Sequence, residues 1–476
     1  MKTAGIIAEY NPFHNGHAYH IAETRKRSGA DYIVIVMSPD FVQRGEAALL
    51  DKWTRARCAL EAGADLVLQL PVWSAAGSAE YFAQGGVSLL SHLGICDYLS
   101  FGCETEFPEL ISAAAGFFAQ DNEPALYREV LRKKLKEGLT FPSARAQALE
   151  AQLLSASGPE DEFLKAPGQS LQKQEQIGRI SSLLSSPNNL LAVEYQKALL
   201  RTGSTMKILP VRRKGSAHNE ENLAGTCSSA SSIRNLLRGL SERAVREGRT
   251  ISEGLADQGL NTSDAVLPSD CIPENSLALL SACMPENSLT LLKHSLAERR
   301  LLFPDDLDLV LQMKLNELAF RQESGQADAS FDAFWDVDQA LANRIRNTLG
   351  DYMGFEEYAS LLKGRQITQS RVRRALIHIL LGIRADDAEE FRRAGSACYL
   401  RVLGFRKTSA PLLNAIKKNS DLPMITKLAD AGALLCPAGR KMLDADLCAA
   451  SVRAVLEARK SGGKAQNEYT RQLVII

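Results

Sequence analysis

Two histidines flank a glycine near the start of the chain, in the stretch "YNPFHNGH" at residues 10–17. The imidazoles of His14 and His17 can donate hydrogen bonds to phosphate oxygens, and Gly16 lets a ligand approach the backbone because it has no Cβ. In nucleotidyl transfer, negative charge grows on the oxygens of the attacked phosphorus, so donors placed beside them lower the barrier. The residue types and their spacing therefore predict phosphate chemistry, with His14 and His17 as the catalytic residues.

The neighbouring segments predict where these histidines lie. "TAGIIAE" before them is typical of a buried parallel strand, and "AYHIAETRKRSGA" after them is typical of a helix that ends at a glycine. A helix that starts there offers unpaired N–H groups and a positive dipole end to a phosphate. Two alternatives stay open: the imidazoles only cap the helix or fill the core, or His14, His17 and His20 bind a metal. Cysteine or carboxylate ligands typical of a zinc site are not visible nearby, so no metal site is predicted.

Four further strand-like segments follow, and they alternate with helical patterns. They lie at residues 32–38, 65–71, 97–102 and 206–211. Repeated strand–helix units predict an α/β fold, a doubly wound parallel sheet with helices on both faces and right-handed crossovers. Ligands bind such sheets at the carboxyl ends of the strands, where the histidine motif would lie.

The rest of the chain has a different pattern. Residues 106–180 show no strand pattern, which predicts a helical insertion in a first domain of residues 1–240. Residues 241–272 are polar and weakly patterned, which is typical of a linker. Residues 273–476 show helical spacing of apolar residues, which predicts a mostly α-helical C-terminal domain.

Composition excludes several classes of protein. The 476 residues contain 56 Lys and Arg against 56 Asp and Glu, so any contact with nucleic acid needs a local basic patch. The chain shows no N-terminal targeting signal and no apolar run of about 18 residues, which predicts a cytoplasmic protein without a membrane partner. Nine cysteines without a C-x-x-C pair indicate scattered thiols.

Other polar residues follow the predicted strands. Gly102 ends the fourth strand, where it would allow a ligand to approach closely or simply form a turn. Asn188 follows a proline at a helix start, so it could contact a ligand or act as an N-cap. Arg213 follows the fifth strand at the same sheet edge. A second helix start carries hydroxyls and an arginine that suit a polyphosphate or form a surface cap: Ser231, Ser232 and Arg234.

Taken in order, these segments resemble the tRNA(Met) cytidine acetate ligase family, within the HIGH-motif nucleotidyltransferase superfamily. The resemblance covers most of the chain and rests on "AEYNPFHNGHAYH", "DFVQRGE", "LSFGCE", "PNNLLAVEY", "RRKGSAHN" and "ASSIR". "NPFHNGH" alone would indicate only the superfamily. The resemblance implies a Rossmann-like HIGH-motif nucleotidyltransferase domain at residues 1–240 and a tRNA-binding role for residues 273–476.

The resemblance also implies a reaction and a site. Enzymes of this family activate acetate with ATP and then acetylate the wobble cytidine of elongator tRNA(Met) at its exocyclic amine. ATP, with magnesium, is the expected cofactor, and acetate and tRNA are the expected partners. Asn189 stays open as an alternative to Asn188. The ATP-binding residues implied by the resemblance are Ile7, Ala8, Glu9, Tyr10, Asn11, Pro12, Phe13, His14, Asn15, Gly16, His17, Ala18, Tyr19, His20, Gly102, Asn188 and Arg213.

A cluster of arginines in the second half of the chain is the candidate RNA contact. The cluster comprises Arg365, Arg371, Arg373 and Arg374, and arginines on one helix face can follow a phosphate backbone. The alternative is an ordinary solvated face paired with acidic neighbours. Two other functions also stay open: a nucleotidyltransferase that acts on a small phosphorylated acceptor, and a non-catalytic RNA-binding protein with a nucleotide-sensing domain.

Overall fold

A computed structural model describes residues 1–105, 109–155, 178–179, 183–184, 186–213, 229–246, 274–365 and 367–476. Its first part contains the five predicted strands, in a parallel sheet. β1 lies in the middle, between β2 and β6, because β1 pairs with both in parallel register. The strands of this part are β1 (Thr3–Ala8), β2 (Tyr32–Met37), the short hairpin β3 (Phe41–Val42) and β4 (Glu46–Ala47), β5 (Leu66–Gln69), β6 (Tyr98–Cys103) and β7 (Lys207–Arg212).

Helices cover both faces of this sheet, as the alternation of strands and helices predicts. Ile33 and Ile35 of β2 pack with α1 and α2 on one face, and Val34 and Val36 pack with α4 on the other. Side chains alternate between faces in a strand, so a continuous apolar run such as "YIVIVM" must be covered on both sides. The helices of this part are α1 (Asn15–Ser28), α2 (Lys52–Glu61), α3 (Val72–Ala75) and α4 (Ala79–His92).

The segment predicted as a helical insertion is helical wherever the structure describes an element in it. It contains α5 (Glu109–Ala119), α6 (Ala125–Lys136) and α7 (Phe141–Ser155), and most of its remainder lies outside the described residues. Two further helices complete the first part, α8 (Pro187–Thr202) and α9 (Ala230–Arg246). α9 continues through residues 241–246, which the sequence analysis assigned to a linker. Apolar Ile233 and Leu237 of α9 are buried, and this packing supports a longer helix than the polar composition of residues 241–246 indicated. The rest of the predicted linker lies outside the described residues.

The second half is mostly helical and has its own core. Leu311, Leu315 and Leu376 are among the buried residues that hold its helices together. The helices are α10 (Glu274–Cys283), α11 (Glu286–Ala297), α12 (Asp308–Glu323), α13 (Gln339–Asn347), α14 (Phe355–Leu361), α15 (Gln369–Leu381), α16 (Ala385–Arg393), α17 (Ala410–Asn419), α18 (Ala431–Leu434) and α19 (Pro437–Ser461).

Three strands from the second half join the sheet of the first half, which the sequence analysis did not predict. They are β8 (Leu400–Phe405), β9 (Met424–Ile425) and β10 (Val474–Ile475). β8 pairs antiparallel with β5, and β10 pairs parallel with β8, which gives the order β10-β8-β5-β2-β1-β6-β7. The sheet is therefore mixed, and the two halves of the chain share it. None of the described helices is both long enough and apolar enough to cross a membrane.

Candidate active site

The histidine motif forms the turn between β1 and α1, at the carboxyl end of the central strand. His14 is the N-cap of α1, and its Nδ1 accepts a hydrogen bond of 3.0 Å from the backbone N–H of Gly16. The Nδ1 of His17 accepts a bond of 3.2 Å from the backbone N–H of His14. The two rings stack, with 3.7 Å between their centroids. The capping alternative is therefore real, but it occupies only one nitrogen of each ring.

The other nitrogen of each ring is left as a donor. When Nδ1 accepts a hydrogen bond, a neutral imidazole carries its proton on Nε2. Burial, with the nearby positive charge of Arg213, lowers the pKa of His14 to about 4. Burial and the neighbouring His14 hold the pKa of His17 well below its usual value. Both rings are thus neutral near pH 7, with an Nε2–H that has no acceptor among the described residues.

His20 has a different environment from the other two histidines. Its Nε2 lies 3.0 Å from the Oγ of Ser100 on β6, and Ser100 in turn lies 2.7 Å from the Oγ1 of Thr24. Burial, with the charge of Arg213, lowers the pKa of His20 to about 4. Its ring is therefore engaged with the sheet. No group of three or more metal-ligating side chains occurs among the described residues.

The turn before α1 is held by two arginine side chains and one backbone N–H from other parts of the chain. The backbone N–H of Leu49 donates to the Oδ1 of Asn11 over 2.8 Å, and Arg234 of α9 donates to the carbonyl of Asn11 over 2.7 Å. Arg55 of α2 is fully buried and donates to the carbonyl of Glu9 over 2.7 Å. These bonds fix the backbone of the motif before any ligand arrives.

Arg55 was missed by the sequence analysis. It also donates to the carbonyls of Ser38 and Pro39, so it joins the ends of β1 and β2. Burial lowers its pKa to about 10, which still leaves it charged near pH 7. The only sequence signal was an arginine within an apolar helical pattern, and that signal does not say which carbonyls the guanidinium will meet.

Gly102 and Arg213 lie side by side at the same sheet edge. Gly102 pairs with Val211 of β7, and Arg213 donates its backbone N–H to the carbonyl of Cys103 over 3.1 Å. A Cβ on Gly102 would lie 3.4 Å from the Cγ of Arg213. Gly102 lies within β6, so the simple turn considered from the sequence is not what the structure contains.

The two adjacent asparagines at the start of α8 have separate contacts. The Oδ1 of Asn189 accepts hydrogen bonds from the backbone N–H groups of Glu104, at 2.8 Å, and Thr105, at 3.3 Å, and this side chain is buried. The amide of Asn188 donates to the carboxylate of Glu104 and is partly exposed. Asn189 therefore holds the segment after β6, whereas Asn188 is the one that a ligand could reach. Its role in ligand binding stays a prediction.

The predicted phosphate contacts at the start of α9 have two kinds of surroundings. Ser232 takes part in the helix cap, whereas Ser231 and Arg234 lie near the histidine motif. The Oγ of Ser229 accepts from the backbone N–H of Ser232 over 3.2 Å and caps the helix. Arg234 has the Oγ of Ser231 at 3.4 Å and the carboxylate of Glu46 at 3.4 Å, and it also reaches Asn11. Ser231 and Arg234 thus lie beside the motif. Glu46, on the hairpin β3–β4, is a second residue that the sequence analysis missed.

Three of the four arginines predicted to contact RNA have carboxylate partners. Arg371 pairs with Asp338 at 3.4 Å, and Arg374 pairs with Asp336 at 3.2 Å. Arg373 pairs with Glu356. Arg365 is exposed. The pairing matches the alternative of an ordinary face with acidic neighbours, and the contact with RNA stays a prediction.

A model of the HIGH Nucleotidyl Transferase family matches residues 1–468. The chain belongs to this family. HIGH nucleotidyl transferases are enzymes, and the arrangement of helix N-terminus, neutral histidines and arginine described above fits such chemistry.

Relatives within the family match along most or all of the chain. One from Acetivibrio thermocellus, named tRNA(Met) cytidine acetate ligase, is 33% identical over 476 residues, which is 100% of both chains. Another of the same name, from Clostridium perfringens, is 34% identical over 432 residues, 90% of this chain and 91% of the relative. The crystal structure of Thermotoga maritima TmcAL bound with alpha-thio ATP is 25% identical, covers 100% of both chains and superposes with a TM-score of 0.78.

Proposed function

We propose that this chain is an ATP-dependent tRNA cytidine acetate ligase. A carboxylate oxygen of acetate attacks the α-phosphorus of ATP, which gives acetyl-adenylate and releases pyrophosphate. The exocyclic amine of the wobble cytidine of elongator tRNA(Met) then attacks the acetyl carbonyl. The amine loses a proton, AMP leaves, and acetylcytidine remains in the tRNA. The names of the relatives and the α-thio ATP bound to T. maritima TmcAL support this proposal.

The observation that carries the proposal is the pair of neutral, stacked imidazoles at the start of α1. Their Nδ1 atoms are occupied by the backbone, so the Nε2–H groups of His14 and His17 are fixed as donors. Donors that are already oriented stabilise charge on the α-phosphate without reorganisation during the reaction. Arg213 would add a permanent positive charge, and the first N–H groups of α1 would add backbone donors.

The proposed ATP site comprises the segment Ile7–His20 together with Gly102, Asn188 and Arg213. Gly102 would leave room for the nucleotide beside the sheet edge, and Ser231, Ser232 and Arg234 are proposed phosphate contacts. The described residues offer no metal-binding group of three side chains, so no residue is assigned to magnesium. The phosphates of ATP would bring that ion. The proposed location is the cytoplasm, where the tRNA substrate is found.

The test is a direct assay of the product. Purified protein is incubated with ATP, labelled acetate and unmodified elongator tRNA(Met), and the RNA is digested and examined for labelled acetylcytidine by mass spectrometry. We expect label in cytidine, and a loss of about a hundredfold or more in the His17→Ala variant, the usual size for removal of one transition-state donor. His92→Ala, on α4 and paired with Asp421, is the matched control and should retain activity.

A folded protein that acetylates no cytidine in a competent tRNA would refute the ligase. In that case, release of pyrophosphate with a small phosphorylated acceptor would favour the broader nucleotidyltransferase. Binding of RNA without any turnover of ATP would favour the non-catalytic RNA-binding protein.

A further inference from the structure

A cavity of about 760 Å³ lies away from the histidine motif, on the side of the sheet formed by β8 and β10. Its walls come from the start of α2, the C-terminal half of α19 and the segment of residues 463–472 that leads into β10. None of the residues assigned to the proposed ATP site lines it.

The charged side chains that line the cavity give it a positive character. Lys464 and Arg471 form no ion pair with a carboxylate among the described residues, and Arg300 has one partner, Glu298, at 3.1 Å. The only acidic side chain of the lining, Glu457, accepts a hydrogen bond of 2.7 Å from Arg453, so its charge is already compensated. An anionic ligand would therefore find cations there, and of these Arg471 also lies near the buried carboxylate of Asp51, whose pKa its charge helps to lower.

The rest of the cavity wall also suits a nucleic acid. It contains side-chain amides and hydroxyls, which match phosphate and ribose oxygens: Gln466, Asn467, Thr470 and Gln472. Trp53 lines the cavity as well, but its indole Nε1 is enclosed by the protein, so a ligand in the cavity does not reach it.

The cavity lies at the same edge of the sheet as the histidine motif. Glu468, in the middle of the segment 463–472, pairs with Lys52 at 2.6 Å and with Arg401 of β8 at 2.6 Å. Lys52 also pairs with Asp40, which follows β2, so these residues belong to the sheet edge at which the motif lies. From β1 to β10 there are four strand spacings, a distance of roughly 19 Å. A structured RNA held at one of these places can reach the other.

We propose that this cavity binds the sugar–phosphate backbone of the tRNA. Lys464 and Arg471 contact phosphates, and the side-chain amides of Gln466 and Gln472 donate to phosphate or ribose oxygens. The proposal rests on the proposed function for the identity of the RNA. Its site is distinct from the arginines of α15, whose charges are largely neutralised by Asp336, Asp338 and Glu356.

The experiment measures tRNA binding and the first half-reaction separately. Binding of a fluorescent elongator tRNA(Met) transcript is measured by anisotropy at several salt concentrations, and acetate-dependent exchange of pyrophosphate into ATP is measured without tRNA. The variant is Lys464→Gln/Arg471→Gln. Lys417→Gln/Lys418→Gln, which removes two exposed charges from α17, is the matched control.

We expect the Lys464→Gln/Arg471→Gln variant to bind tRNA about tenfold more weakly or worse, with a salt dependence reduced by about 0.7 for each lost phosphate contact. Exchange of pyrophosphate should be unchanged in this variant, and the control should match the wild type in both assays.

Equal tRNA affinity and equal salt dependence in the wild type and the Lys464→Gln/Arg471→Gln variant would overturn the proposal, as would an equal loss in the control. Failure of the wild type to bind tRNA would overturn it too. Failure of the pyrophosphate exchange in the wild type would instead count against the proposed ligase, because the binding assay does not depend on exchange.

Discussion

At the scale of single residues, each motif histidine uses its two ring nitrogens for different purposes. Nδ1 of His14 and of His17 accepts a backbone N–H, which caps α1 and fixes the orientation of the ring. The capping bond therefore selects the tautomer that has Nε2–H, the donor that phosphate chemistry needs. Helix capping and ligand binding, which are alternatives when only the sequence is known, are compatible in the structure.

The lowered pKa of His14 predicts a pH-dependent stability. Its pKa is about 4 in the folded protein against a usual 6.5, so the unfolded state binds more protons between these values. The free energy of unfolding should therefore fall as the pH drops from 6.5 towards 4, and His14 should contribute about 2 kcal/mol to the loss between pH 7 and pH 5. In His14→Asn, which keeps a capping oxygen but cannot ionise, urea denaturation should show a loss smaller by that amount. His294→Asn, at an exposed position, serves as the control, and an unchanged loss in His14→Asn would contradict the prediction.

Gly102 offers a second test at this scale. A Cβ at this position would make only a normal contact with the side chain of Arg213, so Gly102→Ala should change the free energy of unfolding by less than about 1 kcal/mol. If the glycine leaves room for the nucleotide, the same variant should raise the KM for ATP about tenfold in pyrophosphate exchange, a loss of about 1.4 kcal/mol. Gly432→Ala, where a Cβ meets no atom within 4 Å, is the control. An unchanged KM would mean that Gly102 is an ordinary strand residue.

At the scale of elements, the hairpin β3–β4 positions Glu46 beside Asn11 and Arg234. Its turn includes Gly45, which has a φ of +74° and packs against the backbone at Arg373 and Arg374 of α15. A Cβ on Gly45 would lie 2.6 Å from the carbonyl carbon of Arg373, a distance at which the backbone must move. The hairpin therefore couples the motif to the C-terminal helices.

Gly45→Ala should destabilise the protein by about 3 kcal/mol, because a left-handed φ and a backbone clash act together. Gly382→Ala is the matched control, since Gly382 has a similar φ of +73° but open space around its Cβ position. It should cost only about 1 kcal/mol. The two values are measured by urea denaturation, and pyrophosphate exchange should fall only in Gly45→Ala. Equal costs in the two variants would show that the hairpin tip tolerates a methyl group.

The elements that the sequence predicted share a strong local pattern. β2 and β5 are continuous apolar runs that any parallel sheet must bury, and the histidine motif follows such a run directly. β8 has a similar run, "LRVLGF", but it lies among helical segments and joins the sheet only through β5, more than 300 residues earlier. β3 and β4 have two residues each, too few for a period to be seen. The local sequence of β8, β3 or β4 therefore does not show that the segment is a strand or which strand it pairs with.

The residues of the candidate site also form two groups, those that the sequence predicted and those that it did not. The two histidines, Gly102 and Arg213 could be placed at one sheet edge because they follow predicted strands. Arg55 and Glu46 could not, since their roles depend on which backbone or side-chain oxygen each one meets in three dimensions. Residues that bind by type and position are visible in a sequence, whereas residues that support them through tertiary contacts are not.

At the scale of the whole molecule, the C-terminal helix α19 supports the motif through a buried charged network. Arg453 donates to the carbonyls of Ala48 and Leu49, and the N–H of Leu49 in turn donates to Asn11. Burial alone would raise the pKa of the neighbouring Asp40, but the charges of Lys52 and Arg453 hold it below its usual value. The second half of the chain therefore helps to fix the backbone on which the proposed chemistry depends.

Arg453→Met tests this support, because it removes the charge while keeping much of the side-chain volume. Breaking one side of a buried ion pair leaves the partner charge uncompensated, so the variant should lose about 3–5 kcal/mol of unfolding free energy. Looser anchoring of Asn11 should also raise the KM for ATP in pyrophosphate exchange, measured at a temperature where the variant is still folded. Arg459→Met lies on the same helix but is exposed, and it should change stability by less than about 0.5 kcal/mol and leave the KM unchanged. If Arg453→Met loses stability while its KM stays at the wild-type value, α19 serves only the fold, and the proposed connection between the two halves of the chain and the histidine motif is wrong.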